Sequence, residues 1–127
     1  MNQIEKNIPK STGKCISVIV EAKPMTSNKS WQGRKFRTRD YDSYEKEILY
    51  LLPWKEQMIG FIEINYIFGI PYVTQGDVDN FIKPLNDILV KKGYIKDDRY
   101  VMRISAEKVV SDEPFIKIKI YPYENRN

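Results

Sequence analysis

Asp77, Asp79, Lys83, Asp97 and Asp98 are the residues of this sequence best suited to chemistry. They fall close together in a chain that has no histidine, so any acid–base or metal chemistry must proceed without imidazole. Clustered carboxylates are hard oxygen ligands, and the ion they suit is Mg²⁺, with Mn²⁺ as a substitute. A lysine beside them is a point charge that fits a phosphate. Metal-assisted attack on a phosphodiester is the chemistry this combination suggests. An ion held there lowers the pKa of a bound water and neutralises charge building on the phosphate. Lys83, one helical turn from Asp79, is placed to steady a developing oxyanion or to orient the water. Plainer readings also stand. An aspartate at a helix start is a common N-cap, Asp97-Asp98 suits a turn, and Asp79, Lys83 and Asp87 have the spacing of a solvated helix face.

The elements that must position these residues are legible from periodicity. Ile16 to Val20 is β-branched and predicts a strand. A long loop follows over residues 22–41. The next helix is expected to start at Asp42 or Ser43, with Asp42-x-x-Glu45 as a capping box. Tyr44, Ile48 and Leu51 form its apolar face, and Pro53 stops it. Met58 to Phe68 alternates as a long strand. A second helix is expected from Asp79 or Asn80, burying Phe81, Ile82, Leu85, Ile88 and Leu89. Pro84 is tolerable there only in the first turn, and Gly93 ends the helix. Tyr100 to Val110 and Phe115 to Tyr121 read as two strands of a terminal hairpin. The order β-α-β-α-β-β predicts an α+β fold, a single small domain with a mixed sheet and helices packed on it. Residues 1–13 read as a flexible tail and 14–127 as the domain.

The charge is unevenly placed. Lys23, Lys29, Arg34, Lys35, Arg37 and Arg39 lie in one stretch without an acid, while the remainder holds 15 basic and 17 acidic residues. Lys29, Arg34, Lys35, Arg37 and Arg39 are interleaved with Trp31 and Phe36. Such a patch suits phosphate contacts, with aromatics available to stack on a base or wedge a branch point. A solvated loop whose aromatics pack inward is the plainer alternative. Cys15 is the one cysteine; it is read as an inert packed residue in a strand, and no intrachain disulfide or zinc finger is possible. The polar N-terminus lacks a signal-peptide core, and no apolar run approaches a membrane span. The expectation is a soluble intracellular protein with no membrane partner.

Gly76-Asp77-Val78-Asp79-Asn80-Phe81-Ile82-Lys83, then Asn86-Asp87-Ile88-Leu89, then Gly93-Tyr94-Ile95-Lys96-Asp97-Asp98 resembles the signature of the RusA family of Holliday junction resolvases. That pattern runs Asp-x-Asp-Asn-x-x-Lys, a helix with an aspartate before an aliphatic pair, and Asp-Asp ahead of a strand. Pro84 departs from it, since small helix formers more usually follow the lysine. The resemblance implies a small homodimeric endonuclease, often encoded by phages or prophages, that cuts four-way DNA junctions with Mg²⁺ in recombination and repair. It would work in the cytoplasm of a bacterial or phage-infected cell. By this resemblance Asp77, Asp79 and Asp98 hold the metal and Lys83 is catalytic. Asp97, Asp87 and Asn80 support the site from behind. A C2 dimer would match the two-fold symmetry of a junction needing two nicks.

Two other classes remain at this level. One is a protein that binds branched or single-stranded DNA without cutting it, its acids serving as caps and turns. The other, a nucleotide-sugar transferase using Asp77-Val78-Asp79, is disfavoured by the short chain and the lack of a Gly-rich phosphate loop.

Overall fold

The computed structural model describes residues 14–27, 31–32 and 36–124, with the side chains of residues 31–32 and 36–37 outside the description. The expected tail over residues 1–13 therefore lies outside the described residues.

Strand β1 (Ile16–Val20) leads to a short pairing of β2 (Trp31–Gln32) with β3 (Phe36–Arg37) inside the expected loop. Helix α1 (Arg39–Leu51), strand β4 (Ile62–Ile70), helix α2 (Ile82–Lys92) and strands β5 (Val101–Val110) and β6 (Phe115–Pro122) follow. The four long strands form one mixed sheet in the order β1-β6-β4-β5. The fold is α+β, as the order of periodicities implies.

The terminal hairpin does not form. Strand β5 pairs with β4 in parallel, and β6 pairs antiparallel with both β4 and β1. The amide of Ser111 donates to the carbonyl of Ile70 at 2.8 Å, so the 111–114 turn steps over the end of β4. Burial explains the choice. Ile116, Ile118 and Ile120 are wholly buried, and isoleucines on an outer strand beyond β5 would be covered on one side only. Lys117 and Lys119 accordingly stand half-buried on the open face of an interior strand, and protect no edge.

One face of β4 presents Ile62, Ile64, Tyr66, Phe68 and Ile70 to the helices, all buried. The strand begins later than expected because Gly60 turns the chain at φ 84°, and Met58 instead bonds the carbonyl of Tyr94 at 2.9 Å. Gly69 lies opposite Phe115 in register. A Cβ there would stand 2.2 Å from the Phe115 ring, so only glycine lets the ring lie on the strand.

Helix α1 starts at Arg39, and its cap is Thr38, whose hydroxyl accepts from the Tyr41 amide at 3.1 Å. The expected Asp42–Glu45 box is absent because Glu45 faces inward. It is buried and bonds Lys91 of α2 at 2.6 Å, while Lys92 donates to the Leu49 carbonyl at 3.2 Å. These contacts tie the two helices together. Tyr41, Tyr44 and Ile48 are buried, but Leu51 is exposed and Leu52 takes its place in the core. Cys15 is exposed and precedes β1, so it is neither packed nor within a strand.

Candidate active site

The chain leaves β4 through a loop that ends in a 3-10 turn (Val78–Phe81) and then enters α2. Pro84 is the third residue of α2, where its missing N–H would have had no intrahelical partner. Phe81, Leu85, Ile88 and Leu89 are wholly buried, with Ile82 partly so. Gly93 closes the helix at φ 87°, its amide reaching Leu89 and Val90. The chain then returns to a second 3-10 turn (Asp98–Tyr100) that opens β5.

The capping explanation fails for Asp77 and Asp79. Asp77 occupies the cap position of its turn, but only its backbone carbonyl works there, accepting from Asn80 at 3.0 Å. Asp79 sits within the turn, and α2 itself begins on Phe81 without a side-chain cap bond. Both carboxylates are exposed, and among the described residues neither has a hydrogen-bond or ion-pair partner. They are left available to a ligand. Asp97 does behave as a turn residue: its side chain accepts from the Arg99 amide at 3.0 Å. That bond, helped by the neighbouring Asp98 and Arg99 side chains against a small desolvation effect, holds the Asp97 carboxyl below the usual range.

Lys83 projects from the first turn of α2. Its Nζ donates to Asp87 Oδ1 at 3.0 Å and lies 3.7 Å from Asp98 Oδ2. The bond to Asp87 is the main reason its pKa is raised; slight burial opposes it, and the charges of Asp87 and Asp98 add to the rise. The ammonium is therefore a standing positive charge at neutral pH. The structure thus brings Lys83, Asp87 and Asp98 together, with Asp97 beside Asp98. Asp77 and Asp79 stand on the turn leading into the same helix, and Asn80 accepts from the Ser27 hydroxyl at 3.4 Å, bracing that turn.

As placed, no three acidic side chains among the described residues are gathered into a metal-binding group. The donor chemistry nevertheless suits a hard divalent ion: exposed carboxylates, no histidine, and two carboxylates left unpaired by the fold.

Three supporting residues had no role in the sequence reading: Lys108 escaped it, and Asn86 and Gly76 stood only as letters of the signature. Lys108 of β5 donates to the carbonyls of Val73 at 2.8 Å and Gly76 at 3.0 Å, pinning the loop ahead of Asp77. Its signal was present, since Lys108 falls on the same strand face as Ile104 and Ala106 and breaks an apolar alternation. Asn86 of α2 is buried and accepts from the Tyr66 hydroxyl at 2.6 Å, fixing the helix on the sheet. Gly76 is demanded by crowding: a Cβ would stand 2.6 Å from Thr26 Cγ2 and 2.8 Å from Phe81 Cζ.

Of the basic residues, Arg39 is exposed at the first position of α1. Lys29, Arg34 and Lys35 lie outside the described residues, as does the side chain of Arg37.

A small α+β domain with exposed carboxylates and a paired lysine around one helix start has the makings of a phosphodiester-cutting site. A family model described as Endodeoxyribonuclease RusA matches residues 16–121, from the first residue of β1 to the last but one of β6. The chain belongs to this family and is an endodeoxyribonuclease of the kind that resolves Holliday junctions, a class that works on branched DNA with divalent metal. Membership of a nuclease family replaces the alternative of a protein that binds DNA without cutting it. A search of curated proteins found no match. No helix among the described residues is long and apolar enough to cross a membrane.

Proposed function

We propose that this protein is a Mg²⁺-dependent endonuclease that resolves four-way junctions by paired symmetric nicks. It acts as a homodimer during recombination and repair in the cytoplasm of a bacterial or phage-infected cell. The observation that carries this reading is Lys83, held by Asp87 and Asp98 at the start of the helix that follows the turn bearing Asp77 and Asp79.

In this reading Asp77, Asp79 and Asp98 would hold the ion, with Mn²⁺ a workable substitute. Such an ion, when bound, supplies an activated water and neutralises phosphate charge. The protein's own groups do the rest. Lys83 remains protonated, so it is a charge donor and not a base. It faces the non-bridging phosphate oxygens and stabilises negative charge as the bond to phosphorus breaks. Asp87 aims that ammonium. Asp97 shapes the turn that presents Asp98, and Asn80 braces the turn that presents Asp77 and Asp79. The basic segment with Lys29, Arg34, Lys35, Arg37 and Arg39 supplies phosphate contacts to the one nuclease domain over residues 14–127.

Denaturing-gel cleavage of a synthetic four-way junction tests this. Paired symmetric nicks are expected with Mg²⁺, but not with EDTA, on linear duplex or with Asp77→Asn protein, which should still bind the junction. Cleavage that persists in Asp77→Asn would remove the metal assignment.

A further inference from the structure

The loop between β4 and the first acidic turn carries a feature that the catalytic reading does not use. Tyr72 is 71% exposed and Val73 beside it is 59% exposed. Among the described residues, neither the ring nor the hydroxyl of Tyr72 has a stacking or hydrogen-bond partner. Tyr50 and Trp54 are exposed too, but of the three rings only that of Tyr72 stands on the loop that leads into the first acidic turn.

The loop is nonetheless held firmly. The Tyr72 carbonyl accepts from the Gln75 amide at 3.1 Å, closing a single 3-10 turn (Val73–Gln75). Lys108 reaches across from β5 and binds the carbonyls of Val73 and Gly76, at 2.8 and 3.0 Å. Gly76 is packed against Thr26 and Phe81 so closely that no side chain fits. Pro71, just before the ring, restricts the backbone further. The turn is therefore built rigidly while the Tyr72 ring at its start faces solvent. Ordering such a ring against a ligand costs little entropy.

We propose that Tyr72 stacks on a nucleobase left unstacked at the branch point of the DNA, making it a positioning residue that distinguishes a junction from a duplex. The inference rests on the nuclease reading, because it places the DNA strand at Asp77, five residues along the chain. A base presents the same aromatic face whatever its identity, so stacking on one ring selects structure and not sequence. Continuous duplex has no free base face to offer, whereas the centre of a junction does. Val73, alongside, widens the apolar surface under the base.

The test compares wild type, Tyr72→Ala and Tyr72→Phe on a four-way junction carrying 2-aminopurine at the branch point, with linear duplex as reference and EDTA present to arrest cleavage. The Tyr72 side chain is mostly exposed, so equal melting temperatures should show that all three fold. Tyr72→Ala should bind the junction about ten- to a hundredfold more weakly, the span of one base–ring stack. It should also lose the change in 2-aminopurine emission, while duplex binding is unchanged. Tyr72→Phe should behave as wild type on both readouts. Wild-type behaviour of Tyr72→Ala would overturn the proposal and leave the nuclease reading intact. A shift in sedimentation of Tyr72→Ala with unaltered 2-aminopurine emission would overturn it in favour of a protein contact. Failure of wild type to prefer or cut the junction would sink both.

Discussion

Lys83 shows how much one residue's surroundings decide. Its ammonium is shared between Asp87 and Asp98, which fixes both its direction and its charge. Lys83→Met should lower the cleavage rate by about 10²–10³-fold, the usual cost of removing a preorganised charge donor, with junction affinity nearly unchanged. Single-turnover cleavage beside a binding titration would check this. Asp87→Asn should cost less, roughly 10–100-fold, because it disturbs only the aim of Lys83, and Asp87→Glu should recover part of the loss. The pH dependence follows from the sign of the shift. The folded pKa of Lys83 is raised, so the stabilisation by its ion pairs is complete below the ordinary lysine value. It is lost only as pH rises through the higher folded value. Both partners are largely exposed, so the pair contributes at most about 1 kcal/mol. A cleavage profile should accordingly show no loss attributable to Lys83 until above about pH 10. A lysine acting as base would instead give a rate that climbs towards that value.

At the scale of elements, the site depends on how α2 and its leading loop are fastened to the sheet. Tyr66 on β4 and Asn86 on α2 form a buried bond of 2.6 Å, and burial keeps the phenol well above its usual pKa. Tyr66→Phe would strand the Asn86 carbonyl in the core and should cost about 1–3 kcal/mol, read by urea unfolding. The loop has a different anchor. Lys108→Met removes the bonds to Val73 and Gly76 without opening the core. Amide exchange over residues 72–76 should quicken, and cleavage should slow more than global stability falls. Equal exchange in the variant would show that Gly76 packing alone holds the loop.

For the whole molecule, affinity for DNA should be governed by the local basic segment, because the rest of the chain carries slightly more acid than base. If Lys29, Arg34, Lys35, Arg37 and Arg39 each meet a phosphate, log K against log salt should fall with a slope of about −4.5 per protomer. Arg39→Ala should flatten that slope by about 0.9, with cleavage at saturating protein little altered. A slope unchanged by Arg39→Ala would take that residue off the DNA.

The sequence by itself determined the four long strands and the two helices, though not the β2–β3 pairing, and with them the acidic pairs and the lysine, because apolar periodicity and turn chemistry are local properties. Gly93 as a helix end and the buried stripe of α2 needed only neighbouring residues to be read. Asp77-Val78-Asp79 with Lys83 and Asp97-Asp98 was enough to suggest a nuclease. Only the tertiary structure decided which strands meet. The isoleucines of β6 need cover on both sides, and that need outweighed the short turn to β5. It likewise decided that Glu45 binds Lys91 and does not cap its helix, since the partner lies on another helix. Tyr72 was invisible in the sequence for the same reason. What makes its ring a rigid, solvent-facing surface is Lys108, 36 residues further along the chain and brought beneath the loop by the β4–β5 pairing.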